Sequence, residues 1–99
     1  MQAMKRREVN WDTYPVEFRN WIYHPDNRAI YKAFAYKARM MAERRKRYSA
    51  RAIIHAIRWE TDLHETDRTF KINNNWTPYL ARLFMELNPQ YEGFFEVRQ

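Results

Sequence analysis

Apolar positions recur every three or four residues in three stretches of the chain, which is the period of a helix with one buried face. Ile30, Phe34, Ala38 and Met41 form the first stripe. Pro25 precedes it, and no glycine or proline interrupts it before Ser49, so it predicts a helix of about five turns. Tyr31 and Ala35 lie beside the stripe, while Arg28, Lys32, Arg39 and Glu43 face elsewhere. Ser49 is a good N-cap for a second helix carrying Ala50, Ile53, Ile54 and Ile57, and Tyr48 before it is placed to pack on Ile53. Arg51, His55, Arg58 and Asp62 take the opposite face. Thr77 as N-cap with Pro78 behind it starts a third helix with the stripe Leu80, Leu83, Phe84 and Leu87, and Asn88-Pro89 stops it.

Between these stretches the pattern changes. Residues 61–69 are polar and read as a loop, Phe70-Lys71-Ile72 alternates as a short strand, and Asn73, Asn74 and Asn75 turn the chain. After Gly93, Phe94 to Arg98 reads as a terminal strand, and Phe70–Ile72 is the strand it would pair with. Val9, Trp11, Tyr14, Val16, Phe18, Trp21, Ile22 and Tyr23, broken by Pro15, fit neither period. They predict an aromatic arm, residues 1–25, that holds one short helical turn and packs on a single helical domain, residues 26–99. The expected fold is therefore mostly α with a small β element: about three helices plus a short two-stranded pairing. A winged-helix-like arrangement, with the third helix as recognition helix, is one candidate. The connection of about 16 residues between the second and third helices departs from the 3–4-residue turn of a helix-turn-helix.

Composition narrows the function classes. A chain of 99 residues suffices for one small core, and 45% hydrophobic and 17% aromatic content argue for a folded domain rather than a basic tail. Trp11, Trp21, Phe34, Phe70, Phe84 and Phe95 are the candidate core aromatics. An exposed subset from the first 24 residues would instead form a protein-binding patch or a homodimer seam. The absence of cysteine excludes a disulfide scaffold, a thiolate metal site and a thiol nucleophile, and agrees with the cytoplasm as the default compartment. The basic start, Met1 to Arg7, is not followed by an apolar run, and no 18-residue apolar window occurs, so neither a signal peptide nor a membrane span is expected.

From Tyr48 onward the chain carries Arg58-Trp59-Glu60-Thr61, then Phe70-Lys-Ile-Asn-Asn-Asn75, then Thr77-Pro-Tyr-Leu-Ala-Arg-Leu-Phe84, then Gly93-Phe-Phe-Glu-Val-Arg98. These four blocks, in this order, resemble a family of small phage, prophage and bacterial proteins. The resemblance covers about the C-terminal half and the long helix before it. It implies a single small domain of phage or bacterial origin, working in the bacterial host cell, and brings no activity with it. It marks Arg58, Glu60, Asn73, Asn74, Asn75, Arg82 and Arg98 as motif positions without assigning roles. Read from the residues, Glu60 with the Asn run, Arg82 and Arg98 form either a polar site or an internal clamp. Asparagines tolerate turns, and arginines pairing with Glu60 or Glu86 would fasten the fold.

Charge gives the sharpest signal. The formal net charge is +6, from 18 Lys plus Arg against 12 Asp plus Glu. Lys37, Arg39, Arg44, Arg45, Lys46, Arg47, Arg51 and Arg58 lie in one window that holds Glu43 as its single carboxylate, a net +7; the rest of the chain sums to −1. Four consecutive cations exceed what a helix C-terminus needs for its dipole. Such a concentration suits phosphate binding, because each neutralised phosphate releases counterions. Tyr36, Tyr48 and Trp59 flank the cluster and are placed to stack on unpaired bases. The expected function is a non-enzymatic module that grips DNA or RNA through the basic helix–helix junction. The alternative is a small interaction or inhibitor protein that meets an acidic surface of a host nucleic-acid or defence component.

Catalytic signals are weak. His24, His55 and His64 lack ligand spacing, and the only serine, Ser49, is accounted for as a cap. His55 and Glu60 point about 140° apart on one helix, too far for shared acid–base work. The one glycine, Gly93, leaves no glycine-rich phosphate loop. No cofactor or metal is expected.

Overall fold

A computed structural model of the chain describes residues 9–64 and 74–95, leaving aside the side chains of 61–64 and 74. Among the described residues four helices follow one another: α1 (Val16–Tyr23), α2 (Pro25–Ala42), α3 (Ala50–His64) and α4 (Thr77–Leu87). Short 3-10 turns at Trp11–Thr13, Asn74–Trp76 and Pro89–Tyr91 flank them. α2 packs on α1, α3 and α4, and α3 packs on α4.

α1 was not expected beyond a single turn. Its inward pair, Phe18 and Ile22, sits one helical turn apart and is buried with Tyr14, which places the N-terminal segment in the same core as the later helices. Pro25 sets the break between α1 and α2, since a residue before proline is driven to extended backbone and His24 lies at φ −70°, ψ 133°. His24 then caps α2: its Nδ1 accepts the Asp26 N–H at 3.2 Å. Asn27 donates through Nδ2 to the Trp21 carbonyl at 2.8 Å and so satisfies an end of α1.

α2 buries Ile30, Phe34 and Ala38 of the predicted stripe together with Ala35, while Met41, the stripe's last member, is half-buried against the core. Ser49 caps α3 as predicted, its Oγ accepting the Ala52 N–H at 3.2 Å, and Ile53, Ile54 and Ile57 are buried. α3 runs on through Thr61–His64, where a loop was expected. At α4 the predicted Thr77 cap is replaced by Trp76: the 3-10 turn at Asn74–Trp76 runs directly into the helix, making Thr77 its first residue. Asn88 ends α4, with its backbone N–H and Nδ2 both donating to the Phe84 carbonyl, at 2.9 and 2.8 Å.

The expected β element is corrected. Among the described residues there is no strand or sheet, and Phe95 makes only an isolated parallel bridge to Tyr48, supported by the Tyr48 N–H donating to the Phe94 carbonyl at 3.1 Å. Phe94 and Phe95 do not alternate in and out as a strand would; both are buried plugs, delivered by Gly93 at φ +84°. Phe70–Ile72, the other expected strand, lies outside the described residues, as do Phe70 as a core aromatic, Asn73 and Arg98. The winged-helix comparison falls with the sheet. Its proposed recognition helix, α4, buries Leu80, Ala81, Leu83 and Phe84 and leaves none of its residues fully exposed, so it has no open face for a groove.

Two aromatic groups anchor the core. One joins Tyr14, Phe18 and Trp21 to Trp76 and Tyr79, with Phe18 5.5 Å from both Trp76 and Tyr79. The other joins Phe34, Phe84, Tyr91 and Phe95, where the Phe84 and Tyr91 rings stack at 5.6 Å with 4° between their planes. Trp21 is half-buried against this core, and Trp11, expected inside, remains 38% exposed.

Candidate nucleic-acid interface

α2 and α3 pack side by side, joined by residues 43–49, and this connection carries Arg44, Arg45, Lys46 and Arg47. The α2 end is closed by the backbone N–H groups of Arg44 and Arg45, both donating to the Met41 carbonyl, at 3.0 and 2.9 Å. At the other end, the Tyr48 pairing with Phe94–Phe95 fixes the entry to α3. The backbone is thus held at both ends while the four cationic side chains are exposed. Arg51, in the first turn of α3, and Arg39, near the end of α2, are exposed as well. Arg45 sits 5.8 Å over the half-buried Tyr48 ring, which places that tyrosine under a cation rather than in open solvent.

Among the described residues, no carboxylate pairs with Arg39, Arg44, Arg45, Lys46, Arg47 or Arg51; the ion pairs join Arg19 to Asp12, His24 to Asp26 and Lys37 to Glu60. Glu43 and Glu92 do share a groove of about 420 Å³ with Arg44, Arg45 and Lys46. The net charge of the junction is therefore carried by cations whose heads remain in water.

Two members of the expected set stand apart. Lys37 Nζ donates to Glu60 Oε2 at 2.8 Å, clamping α2 to α3, and Arg58 is half-buried on α3. Of the other motif residues, Asn73 and Arg98 lie outside the described residues, and the described ones sit on different elements. Arg82 lies on α4 with its guanidinium 4.5 Å over the Tyr14 ring and 5.8 Å over Tyr79, and it donates to Thr13 Oγ1 at 3.0 Å. Asn74 and Asn75 lie in the 3-10 turn before α4, and Glu60 is held by Lys37. Among the described residues, no group of three or more His, Asp or Glu side chains is arranged to hold a metal ion.

Two further surfaces border the cations. On α3, Arg51, His55 and Trp59 follow one another at four-residue spacing, and Trp59 is 65% exposed. On α2, Lys32, Tyr36 and Arg39 stand on one stripe beside a groove of about 480 Å³ that reaches to Leu87 and Asn88. The groove escapes a charge count because Lys32 falls outside the dense window; its signal is the i, i+4, i+7 spacing of a cation, an aromatic and a cation. Burial pushes the neighbouring Tyr31 phenol up to about 12, against the pull of the Arg39 charge, so this floor of the groove stays neutral.

Within the described residues, no helix is long and apolar enough to cross a membrane. Comparison of the chain with protein families, with curated proteins and with solved structures gives no match.

Proposed function

We propose that this protein is a small, non-enzymatic nucleic-acid-binding module that grips phosphates with Arg39, Arg44, Arg45, Lys46, Arg47 and Arg51. The observation that carries the reading is the connection between α2 and α3: a backbone held at both ends presents four consecutive exposed cations without carboxylate partners among the described residues. Cations that are unpaired and water-facing are available to neutralise phosphates, and each phosphate contact adds a salt-dependent increment of affinity. Lys37 plays no part in the grip, because its charge is taken up by Glu60.

Titration of labelled duplex and single-stranded DNA and RNA at several salt concentrations tests the reading. If the six cations all engage duplex phosphates, log K falls with log salt with a slope of about −5. Absence of binding at low salt sinks the proposal.

One observation favours a second reading. Trp59 and Arg51 on the outer face of α3 are the residue types that anchor protein interfaces, and with the cationic connection they would suit an acidic protein surface. Capture of an acidic protein with no affinity for nucleic acid would favour it.

A further inference from the structure

We infer that the groove between α2 and the end of α4 is a subsite for an unpaired nucleotide, and hence that the polymer gripped is single-stranded. The inference rests on the phosphate-binding reading and adds the strandedness and the route of the strand. Tyr36 stands at the rim of the groove, 60% exposed, with Lys32 one turn before it and Arg39 one turn after it. Tyr31, Ala35 and Leu87 form the apolar floor. A volume of about 480 Å³ is in the range of small-ligand sites and admits a base with its sugar.

The residue types match the parts of a nucleotide. The Tyr36 ring offers a flat π-face to a base, and Lys32 and Arg39 stand on either side, about 6 and 4.5 Å along the helix axis, where flanking phosphates would lie. A duplex keeps its bases stacked inside and would bring only phosphates to this rim, leaving Tyr36 and the floor without a partner. An unpaired base can turn out of the strand and fill the groove. From Arg39 the helix runs about 4.5 Å further to its end at Ala42, two residues before Arg44, so a strand leaving the groove in that direction heads toward the cationic connection. A second, separate groove lies beyond the end of α2, with Arg44, Arg45 and Lys46 on one side and Gln90 and Tyr91 on the other, and Glu43 and Glu92 also line it.

The test uses the full chain with fluorescein-labelled oligo(dT) and oligo(U) of about ten nucleotides, within the span one small domain covers, and a duplex of equal length. Tyr36 is exposed, so Tyr36→Ala leaves the circular dichroism spectrum unchanged. It is expected to weaken single-strand binding about tenfold, the value of one lost stacking partner, while duplex binding stays the same and Tyr36→Phe behaves like the parent. Loss on oligo(dT) alone assigns the groove to DNA, and loss on oligo(U) alone to RNA; either supports the inference. Unchanged single-strand affinity in Tyr36→Ala, or an equal loss on the duplex, overturns it. If those results come with binding that charge reversal at Arg44, Arg45 and Arg47 abolishes, the phosphate grip stands and the groove alone is wrong. Failure of the parent protein to bind any of the three probes at low salt removes the phosphate reading and the groove together.

Discussion

The buried phenol of Tyr14 donates a 2.6 Å hydrogen bond to Oε1 of Glu86, a residue 72 positions further along the chain. The other carboxylate oxygen, Oε2, accepts the Asn10 N–H at 3.1 Å, while Arg82, one turn before Glu86 on α4, covers the Tyr14 ring and bonds to Thr13. Two side chains of one helix thus fasten the chain entering α1. A hydrogen bond to a charged acceptor contributes about 1.5–3 kcal/mol, and its loss leaves Glu86 short of a donor. Tyr14→Phe is expected to lower the unfolding free energy by about 2 kcal/mol in urea titration, with nucleic-acid affinity unchanged.

The same bond makes stability depend on alkaline pH. Burial first, and then the hydrogen bond to Glu86 and its charge, hold the Tyr14 phenol well above the usual tyrosine range, and burial pushes Tyr31 up to about 12. Both groups bind their proton more tightly folded than unfolded. Their contribution is therefore fully present below pH 10, the unfolded value, and is lost as pH rises above it; the Tyr31 part levels off near pH 12. Melting temperature should fall above pH 10, and the fall should be shallower in Tyr14→Phe and in Tyr31→Phe. A melting temperature flat to pH 11.5 would contradict this origin.

Arg82 was read either as part of a polar site or as an internal clamp, and its contacts are those of a clamp. Its guanidinium lies over two tyrosine rings and holds Thr13, contacts that depend on a planar group. Arg82→Ala is expected to cost about 1–2 kcal/mol, from the lost cation–π contact and hydrogen bond, and Arg82→Lys should recover only part of it. Neither change should move the salt slope of nucleic-acid binding by as much as one phosphate. A drop of one or more would return Arg82 to the interface.

What could be read from the chain follows from how local each determinant is. The stripes of α2 and α3, the Ser49 cap and the Asn88-Pro89 stop are decided within a few residues, and they stand as expected. α1 was hidden because apolar residues also occupy its outer face: Val16 and Tyr23 are exposed, so the buried pair Phe18 and Ile22 does not stand out as a stripe. The terminal strand failed for the opposite reason. A run of aromatics after a glycine satisfies a strand pattern, while Phe95 packs inward on Phe34 and Phe84, and Phe94 packs inward on Tyr91 and Phe95. At the junction, the charge excess was plain in the sequence, but its division was not, because Lys37 and Glu60 meet only through the packing of α2 on α3.

Gly93 carries the turn that delivers those two phenylalanines. Its φ of +84° disfavours any residue with a Cβ, and nothing lies within 4 Å of where a Cβ would sit, so substitution meets backbone strain alone. Gly93→Ala should cost about 1 kcal/mol and lower the melting temperature by about 5 °C. A larger effect would mean that the Tyr48–Phe95 pairing is lost with the turn.

Single-charge variants separate the cations that face water from the one that is engaged. Each of Arg44→Gln, Arg45→Gln and Arg47→Gln removes one unit of charge from the exposed connection and should lower the salt slope by about 1, with little effect on stability. Lys37→Gln removes the same unit of charge, but from a side chain held at 2.8 Å by Glu60 between α2 and α3. Its slope should stay within experimental error of the parent, and its unfolding free energy should fall by no more than about 1 kcal/mol, as for other partly exposed pairs. The matched change in net charge controls for long-range attraction, which would act on all four variants alike. Equal losses of slope in Lys37→Gln and the arginine variants would show that binding follows overall charge, and that the connection between α2 and α3 is not where the phosphates sit.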